Sequence, residues 1–217
     1  TTTGTAPGQT QYVGGAFWQR QVNGASTVEG YFDAATYGIR TAVGDVPLTG
    51  AASYDVRLLG LTSFSTLINA LSGDGRVNVD FTTGAMNGNG WYRETDINSG
   101  FTGSDINWTL YASMGSNGNF SGVINIGSEA NLTGGLFGPA AAEIGGTFYA
   151  NPNSESATVG LLLGAQGTYP VNTATNLIAP EADTFYAPVS AGLKVAANSS
   201  GAIIGTEERE NPVYAVL

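Results

Sequence analysis

From Leu48 onward the chain consists of short segments in which apolar and polar residues alternate, each ended by glycine, asparagine or aspartate. A period of two puts alternate side chains on opposite faces of a strand, and regularly spaced turn residues are typical of an all-β fold. Because eight strands close around an interior that side chains just fill, we expect one eight-stranded antiparallel up-and-down β-barrel. The predicted strands are Gly50–Leu59, Arg76–Phe81, Ala85–Trp91, Asp105–Ala112, Asn119–Ile126, Leu132–Phe137, Gly146–Tyr149 and Ala157–Ala165.

The connections between these strands contain residues that supply or tolerate a positive φ. Such pairs close hairpins, so turns are predicted at Asp74-Gly75, Thr83-Gly84 and Asn117-Gly118. Helix is nearly absent from the pattern. The segment Thr62–Leu71, with a threonine or serine available as its N-cap, predicts a short helix.

One corner, within the segment LTGGLFGPAAAEIGGTFYA at Leu132–Ala150, is more specific than the rest of the pattern. Gly138 breaks the strand, and Pro139 fixes φ at the start of a tight turn of alanines. We expect Glu143, at the end of that turn, to accept backbone N–H bonds at the closed end of the barrel. Gly145 and Gly146 then restart the next strand with a bulge or a sharp bend. The sequence predicts a structural corner without catalytic function.

Residue types that many enzyme sites need are missing, because the chain has no histidine and no cysteine. Their absence excludes Ser-His-Asp and Cys-His sites, disulfides, thiolate or histidine metal sites and histidine-ligated haem. The chain has no phosphate-binding loop ending in GKS or GKT, and no GxGxxG motif that leads from a strand into a helix. Carboxylates that could be paired for glycoside hydrolysis are better explained as solvated turn acids or, in one case, as part of the corner: Asp80, Glu94, Asp96, Asp105 and Glu143. We predict a protein that is not an enzyme and has no cofactor and no metal.

Charge is scarce and mostly negative, with seven basic residues, 17 acidic residues and a net charge of −10. Lys194 is the only lysine, so the clustered basic residues of a nucleic-acid site are missing. No apolar run reaches the ~20 residues of a transmembrane helix. Charged residues make up 11% of the chain, against about 25% in typical soluble domains. This composition favours an extracellular or outer-surface protein.

Aromatic side chains are the candidates for contact with a ligand or partner, because exposed rings can bind sugars or flat molecules. The candidates are Trp18, Trp91, Trp108 and Tyr111. Trp91 and Trp108 each lie within a β-alternation, which favours a position in the core or at the barrel rim for these residues.

The segment GGLFGPAAAEIGGTF at residues 134–148 resembles the corner motif of the transferrin-binding protein B family. YGIRTAVGDVPLTGAASYDV at 37–56 is similar to the opening of single-barrel members, and DGRVNVDFTTGAMNG at 74–88 to their second and third strands. The resemblance covers about residues 37–165. It implies an eight-stranded barrel, often beside a handle-like half-domain, on the outer surface of Gram-negative bacteria. It also implies binding of host proteins or haem, with no enzymatic role.

Both ends of the chain depart from the regular pattern. We predict an N-terminal arm with a partial handle of short strands at residues 1–47, the barrel at 48–165 and an extended, proline-interrupted arm at 166–217. Because members usually carry a lipid-anchored N-terminal cysteine and residue 1 is Thr, we expect a trimmed anchor or a freely secreted member.

The predicted function is non-catalytic capture of a host protein, haem or another solute at the cell surface or outer membrane. The alternative is a self-assembling structural subunit of an extracellular filament or surface layer. In that case the arm at 166–217 would add a strand to the next copy of the chain.

Overall fold

The computed structural model describes residues 10–23, 27–64, 67–153, 156–167, 189–198 and 203–209. No helix in these ranges is long and apolar enough to span a membrane. Two 3-10 turns lie at Val43–Asp45 and Pro139–Ala141. The strands are β1 (Val13–Asn23), β2 (Thr27–Gly38), β3 (Ala51–Phe64), β4 (Leu67–Asp80), β5 (Ala85–Asp96), β6 (Ile106–Met114), β7 (Asn119–Asn125), β8 (Glu129–Phe137), β9 (Glu143–Asn153), β10 (Ser156–Gln166), β11 (Val189–Asn198) and β12 (Ile203–Arg209).

Strands β3 to β10 form a closed barrel in which each strand is antiparallel to the next. β10 closes the barrel by pairing with β3, from Ser156 opposite Phe64 to Gln166 opposite Tyr54. The eight-stranded antiparallel barrel predicted from the sequence is therefore confirmed. The turns predicted at Thr83-Gly84 and Asn117-Gly118 are confirmed as well, since Gly84 and Gly118 have φ of 72° and 74°.

Aromatic rings fill the barrel interior by lying against glycines of neighbouring strands. Trp108 is 1% exposed, and its ring occupies the space where Gly75 and Gly90 would carry a side chain. Phe148 occupies the corresponding space at Gly160. Inward glycines on β4, β5 and β10 therefore leave room for bulky rings that close-packed strands would otherwise exclude.

The helix predicted over Thr62–Leu71 is wrong. This segment ends β3 and begins β4, which pair from Ala51 opposite Asp80 to Phe64 opposite Leu67. Leu71 points into the barrel core and is 2% exposed. Burial and main-chain pairing within the sheet override the weak local preference for helix in this segment.

The turn predicted at Asp74-Gly75 is also wrong, because both residues lie in the middle of β4. They pair with Arg57 and Val56 on β3, and with Trp91 and Gly90 on β5. The glycine at position 75 is explained by the adjacent ring of Trp108 in the interior. A glycine that makes room for a neighbour has the same local sequence signal as one that makes a turn.

A second sheet, in the order β1-β2-β11-β12, packs against the outside of the barrel. Phe32 and Ala34 of β2 contact Val159 and Leu161 of β10 in a small apolar cluster. β1 and β2 span 11 and 12 residues, so they are longer than the short strands predicted from the sequence. Within the predicted C-terminal arm, β11 pairs with β2 of its own chain. The segments 168–188, 199–202 and 210–217 of that arm lie outside the described residues.

Candidate functional site

The corner between β8 and β9 has an unusual backbone. Gly138 has a φ of 74°, and Pro139 begins the 3-10 turn. Ala140 and Ala141 follow with φ of 50° and 60°, in the left-handed region that L-residues seldom adopt. Each such residue costs about 1–2 kcal/mol relative to the right-handed conformation. The corner therefore needs support from its surroundings to keep this shape.

Side chains and main-chain groups from three other segments support the corner. Thr41 donates its hydroxyl hydrogen to the Gly138 carbonyl at 2.7 Å. The Ala141 carbonyl accepts hydrogen bonds from the Tyr54 hydroxyl at 2.7 Å and from Nε2 of Gln166 at 2.9 Å. Burial raises the pKa of Tyr54 to about 12, so its hydroxyl keeps its proton at neutral pH. These bonds join β3, β10 and the segment after β2 to one turn.

Glu143 connects the corner to the first strand of the chain. Its two carboxylate oxygens accept N–H bonds from Gln11 at 2.5 Å, Tyr12 at 2.7 Å and Val13 at 2.8 Å. The residue is 4% exposed, and burial raises the pKa of its carboxyl while the three N–H donors oppose the rise. Gly145 leaves space for Val13 to lie against β9, since a Cβ at Gly145 would be 2.6 Å from Cγ2 of Val13. Glu143 therefore anchors the beginning of β1 to the barrel.

The structure puts the predicted contact aromatics in three different environments. Trp18 lies half-buried on β1. Trp108 is enclosed in the barrel interior, where no surface partner can reach it. Trp91 and Tyr111, which are 38% and 65% exposed, lie on the outer wall formed by β5 and β6. Only this last pair shares one surface.

An exposed apolar group, the apolar end group, lies at the end of the barrel opposite the corner. Its members are exposed by between 40% and 73% and are Leu67, Ile97, Phe101 and Ile106. The connection between β5 and β6 is held in place by its main chain. The N–H of Ile97 donates to the Ile68 carbonyl at 3.1 Å, and that of Asp96 to the Phe101 carbonyl at 2.9 Å. Ile97 and Phe101 therefore project from an ordered connection, while Leu67 and Ile106 begin β4 and β6.

Sequence reasoning missed this group, although a signal was present. Ile97 and Phe101 interrupt a run of turn-forming polar residues, INSGFTGSD, where no alternation buries them. Leu67 was hidden in the segment predicted as a helix.

The carboxylates considered for catalysis each bind structural partners. Asp96 accepts bonds from the Asn98 N–H at 2.9 Å and the Ser99 hydroxyl at 2.7 Å, and these bonds lower its pKa. Three others bind within turns or across strands: Asp80 to the Thr82 N–H, Glu94 to the Asn69 side chain and Asp105 to Arg93. Among the residues that the structure describes, no cluster of three or more acidic side chains could hold a metal ion.

No protein-family model and no curated protein sequence matches this chain. Among solved structures, the chain is similar to a double mutant of transferrin-binding protein B from Haemophilus parasuis Hp5, with 19% identity and a TM-score of 0.46, over 74% of this chain and 38% of the other. It is also similar to the isotype 1 transferrin-binding protein B of serogroup B Neisseria meningitidis. The identity is 18% and the TM-score 0.44, over 68% of this chain and 36% of the other. The chain therefore spans less than two fifths of the length of either. At this identity the likeness concerns the fold alone.

Proposed function

We propose that this chain is a non-catalytic binding protein of the cell surface or extracellular space, and that it captures a protein partner through the apolar end group. The observation that carries the proposal is the exposure of four large apolar side chains at one end of a rigid barrel. Large apolar side chains left in contact with water are a common mark of a protein interface when they lie close together. Loops held by a rigid scaffold are also the usual location of binding residues.

Charge defines the partner further. Asp96 directly precedes Ile97, and the hydrogen bonds of Asp96 favour its ionised form. A partner surface with an apolar centre and basic residues around it would complement this end of the barrel. The net charge of −10 would steer such a partner toward the chain. The resemblance seen in the sequence makes transferrin and haem the first ligands to test.

The test replaces exposed apolar residues and measures binding to immobilised protein by surface plasmon resonance. We expect Phe101→Ser and Ile97→Ser to weaken the binding of a transferrin-type partner at least about tenfold, because central apolar residues carry most of the energy of an interface. Val43→Ser is the matched control, since Val43 is 67% exposed, between Ile97 and Phe101, but lies in the 3-10 turn between β2 and β3. Binding that is equally strong in all variants, or that is restricted to haem, would contradict a protein partner at this end.

A second candidate function is self-association, and the attachment of the β11–β12 hairpin favours it. The hairpin joins the rest of its sheet through main-chain pairing of β11 with β2, from Val189 opposite Thr36 to Asn198 opposite Thr27. The segment 168–188 connects it to the barrel. A connection of this length reaches about 70 Å when extended. The same β2 edge on a second copy would accept the hairpin equally well.

Deletion of residues 168–217 tests this second function. We expect the intact chain to form dimers or larger assemblies in size-exclusion chromatography with light scattering, and the deleted chain to lose them while its β-sheet circular dichroism persists. An intact chain that remains monomeric at every concentration would rule out exchange of the hairpin.

A further inference from the structure

The outer wall of the barrel over β5 to β7 carries amide and hydroxyl side chains in place of charges, and on β8 the exposed Glu129 marks its edge. We call this surface the polar wall. From Ala85 to Trp91 on β5, and along all of β6 and β7, no outward side chain is charged. Exposed asparagines lie along these strands and on the adjoining β8: Asn87, Asn89, Asn107, Asn119, Asn125 and Asn131. In a chain with a net charge of −10, an uncharged surface of this breadth is a distinct chemical environment.

The charges on the neighbouring strands β3 and β4 do not alter this environment, because they neutralise one another. Arg57 pairs with Asp74 at 3.1 Å, and Arg76 pairs with Asp55 at 2.7 Å. At the end of the wall beside the connection between β5 and β6, Arg93 pairs with Asp105, and at the β8 margin Glu129 is exposed. On the flank formed by β3 and β4, a charged ligand would therefore find its counter-charges already paired.

Two aromatic rings stand on the polar wall. Tyr111 lies in the middle of β6, opposite Asn87 on β5 and Val123 on β7. Trp91 lies four residues further along β5 than Asn87. With a rise of ~3.4 Å per residue and ~4.8 Å between strands, the two positions are about 14 Å apart. One extended ligand could therefore contact both rings.

The Trp91 ring and the asparagine opposite Tyr111 have neighbours that limit their movement. The Arg93 guanidinium lies 5.3 Å from the centre of the Trp91 ring, and Arg93 itself is held by Asp105. Beside Tyr111, Asn87 accepts a long hydrogen bond of 3.5 Å from Asn78, which in turn accepts one of 2.7 Å from Ser53. Side chains fixed in advance lose less conformational entropy when a ligand binds.

We propose that the polar wall binds an uncharged polysaccharide chain, which lies across Tyr111 and Trp91. The C–H faces of sugar rings stack on aromatic rings, and sugar hydroxyls donate to and accept from asparagine amides, which have both functions. A protein partner fits less well, because the wall has little apolar area for the centre of an interface. An anionic polymer would be repelled by the net charge of the chain.

Affinity electrophoresis in native gels tests the proposal, since the negative chain migrates without denaturant. The probes are dextran, hydroxyethyl cellulose and mixed-linkage β-glucan, with alginate as the anionic polysaccharide. We expect the full chain to be retarded by at least one of the neutral polymers and not by alginate. Tyr111→Ala should weaken the apparent affinity about tenfold, and Trp91→Ala should weaken it as well.

Phe101→Ala is the matched control, because Phe101 is 73% exposed but belongs to the apolar end group. It should bind the neutral polymer as the unchanged chain does, which separates this proposal from the proposed protein partner. Thermal unfolding verifies that each variant is folded. Migration unaffected by any neutral polymer, retardation that survives both wall substitutions, or a wall that instead mediates dimer formation would each overturn the proposal.

Discussion

Replacing Gly90 with alanine is expected to lower the free energy of unfolding by about 3 kcal/mol, the largest effect of any substitution considered in this protein. The new Cβ would lie 2.7 Å from Cε2 of Trp108 and 2.6 Å from the Cα of Gly75. It would also collide with the Asp74 carbonyl oxygen. Main-chain atoms paired on β4 cannot move aside without breaking the sheet, so the strain cannot be relieved by a change of rotamer.

Urea denaturation followed by tryptophan fluorescence measures this loss, since Trp108 is buried in the folded barrel. Gly44→Ala is the control, because a Cβ at Gly44 would meet no atom within 4 Å. Equal midpoints for the two variants would show that the ring does not pack on Gly90.

Replacing Glu143 with glutamine is the second large change, and we expect it to lower the free energy of unfolding by about 2 kcal/mol. The carboxylate accepts from three backbone N–H groups, whereas an amide offers one oxygen and turns an NH2 group toward the remaining donor. A buried N–H without an acceptor carries its full desolvation cost. Denaturation measures the loss, and faster proteolysis near residues 10–13 would locate it.

Glu129→Gln, on an exposed residue at the start of β8, should leave stability unchanged. If Glu143→Gln is no less stable than this control, the carboxylate does not anchor β1.

The carboxyl of Glu143 should also make the free energy of unfolding depend on pH, and the direction of this dependence follows from its pKa. Burial raises the pKa of Glu143 above its usual value of 4.5, so the folded chain holds this proton more tightly than the unfolded chain. Stability from this group is therefore greatest below pH 4.5 and is lost as the pH rises through the folded pKa. Glutamine does not titrate. The difference in unfolding free energy between the original chain and Glu143→Gln should widen on acidification from neutral pH.

Local signals were sufficient to predict the barrel, because alternation and turn residues act within a few positions of one another. They failed at β4, where Asp74-Gly75 was predicted as a turn although Gly75 faces Trp108 inside the barrel. They also missed β11, since its partner β2 is distant along the chain.

The candidate surfaces were harder to predict, because burial depends on which face of each strand points inward. Trp108 shares its face with Leu110, and Tyr111 shares the opposite face with Thr109, so alternation within β6 does separate the two rings. The apolar end group follows no such period, and its exposure depends on how the connection between β5 and β6 folds back on Ile68.

The position of β2 in the second sheet has a consequence for biosynthesis. β2 leaves the ribosome before any barrel strand, yet its neighbour β11 is translated only after β10 has completed the barrel sequence. During that interval one edge of β2 has no β11 to pair with, and unpaired edges recruit foreign strands. A nascent chain therefore carries an unpaired strand edge that the finished chain covers with its own β11.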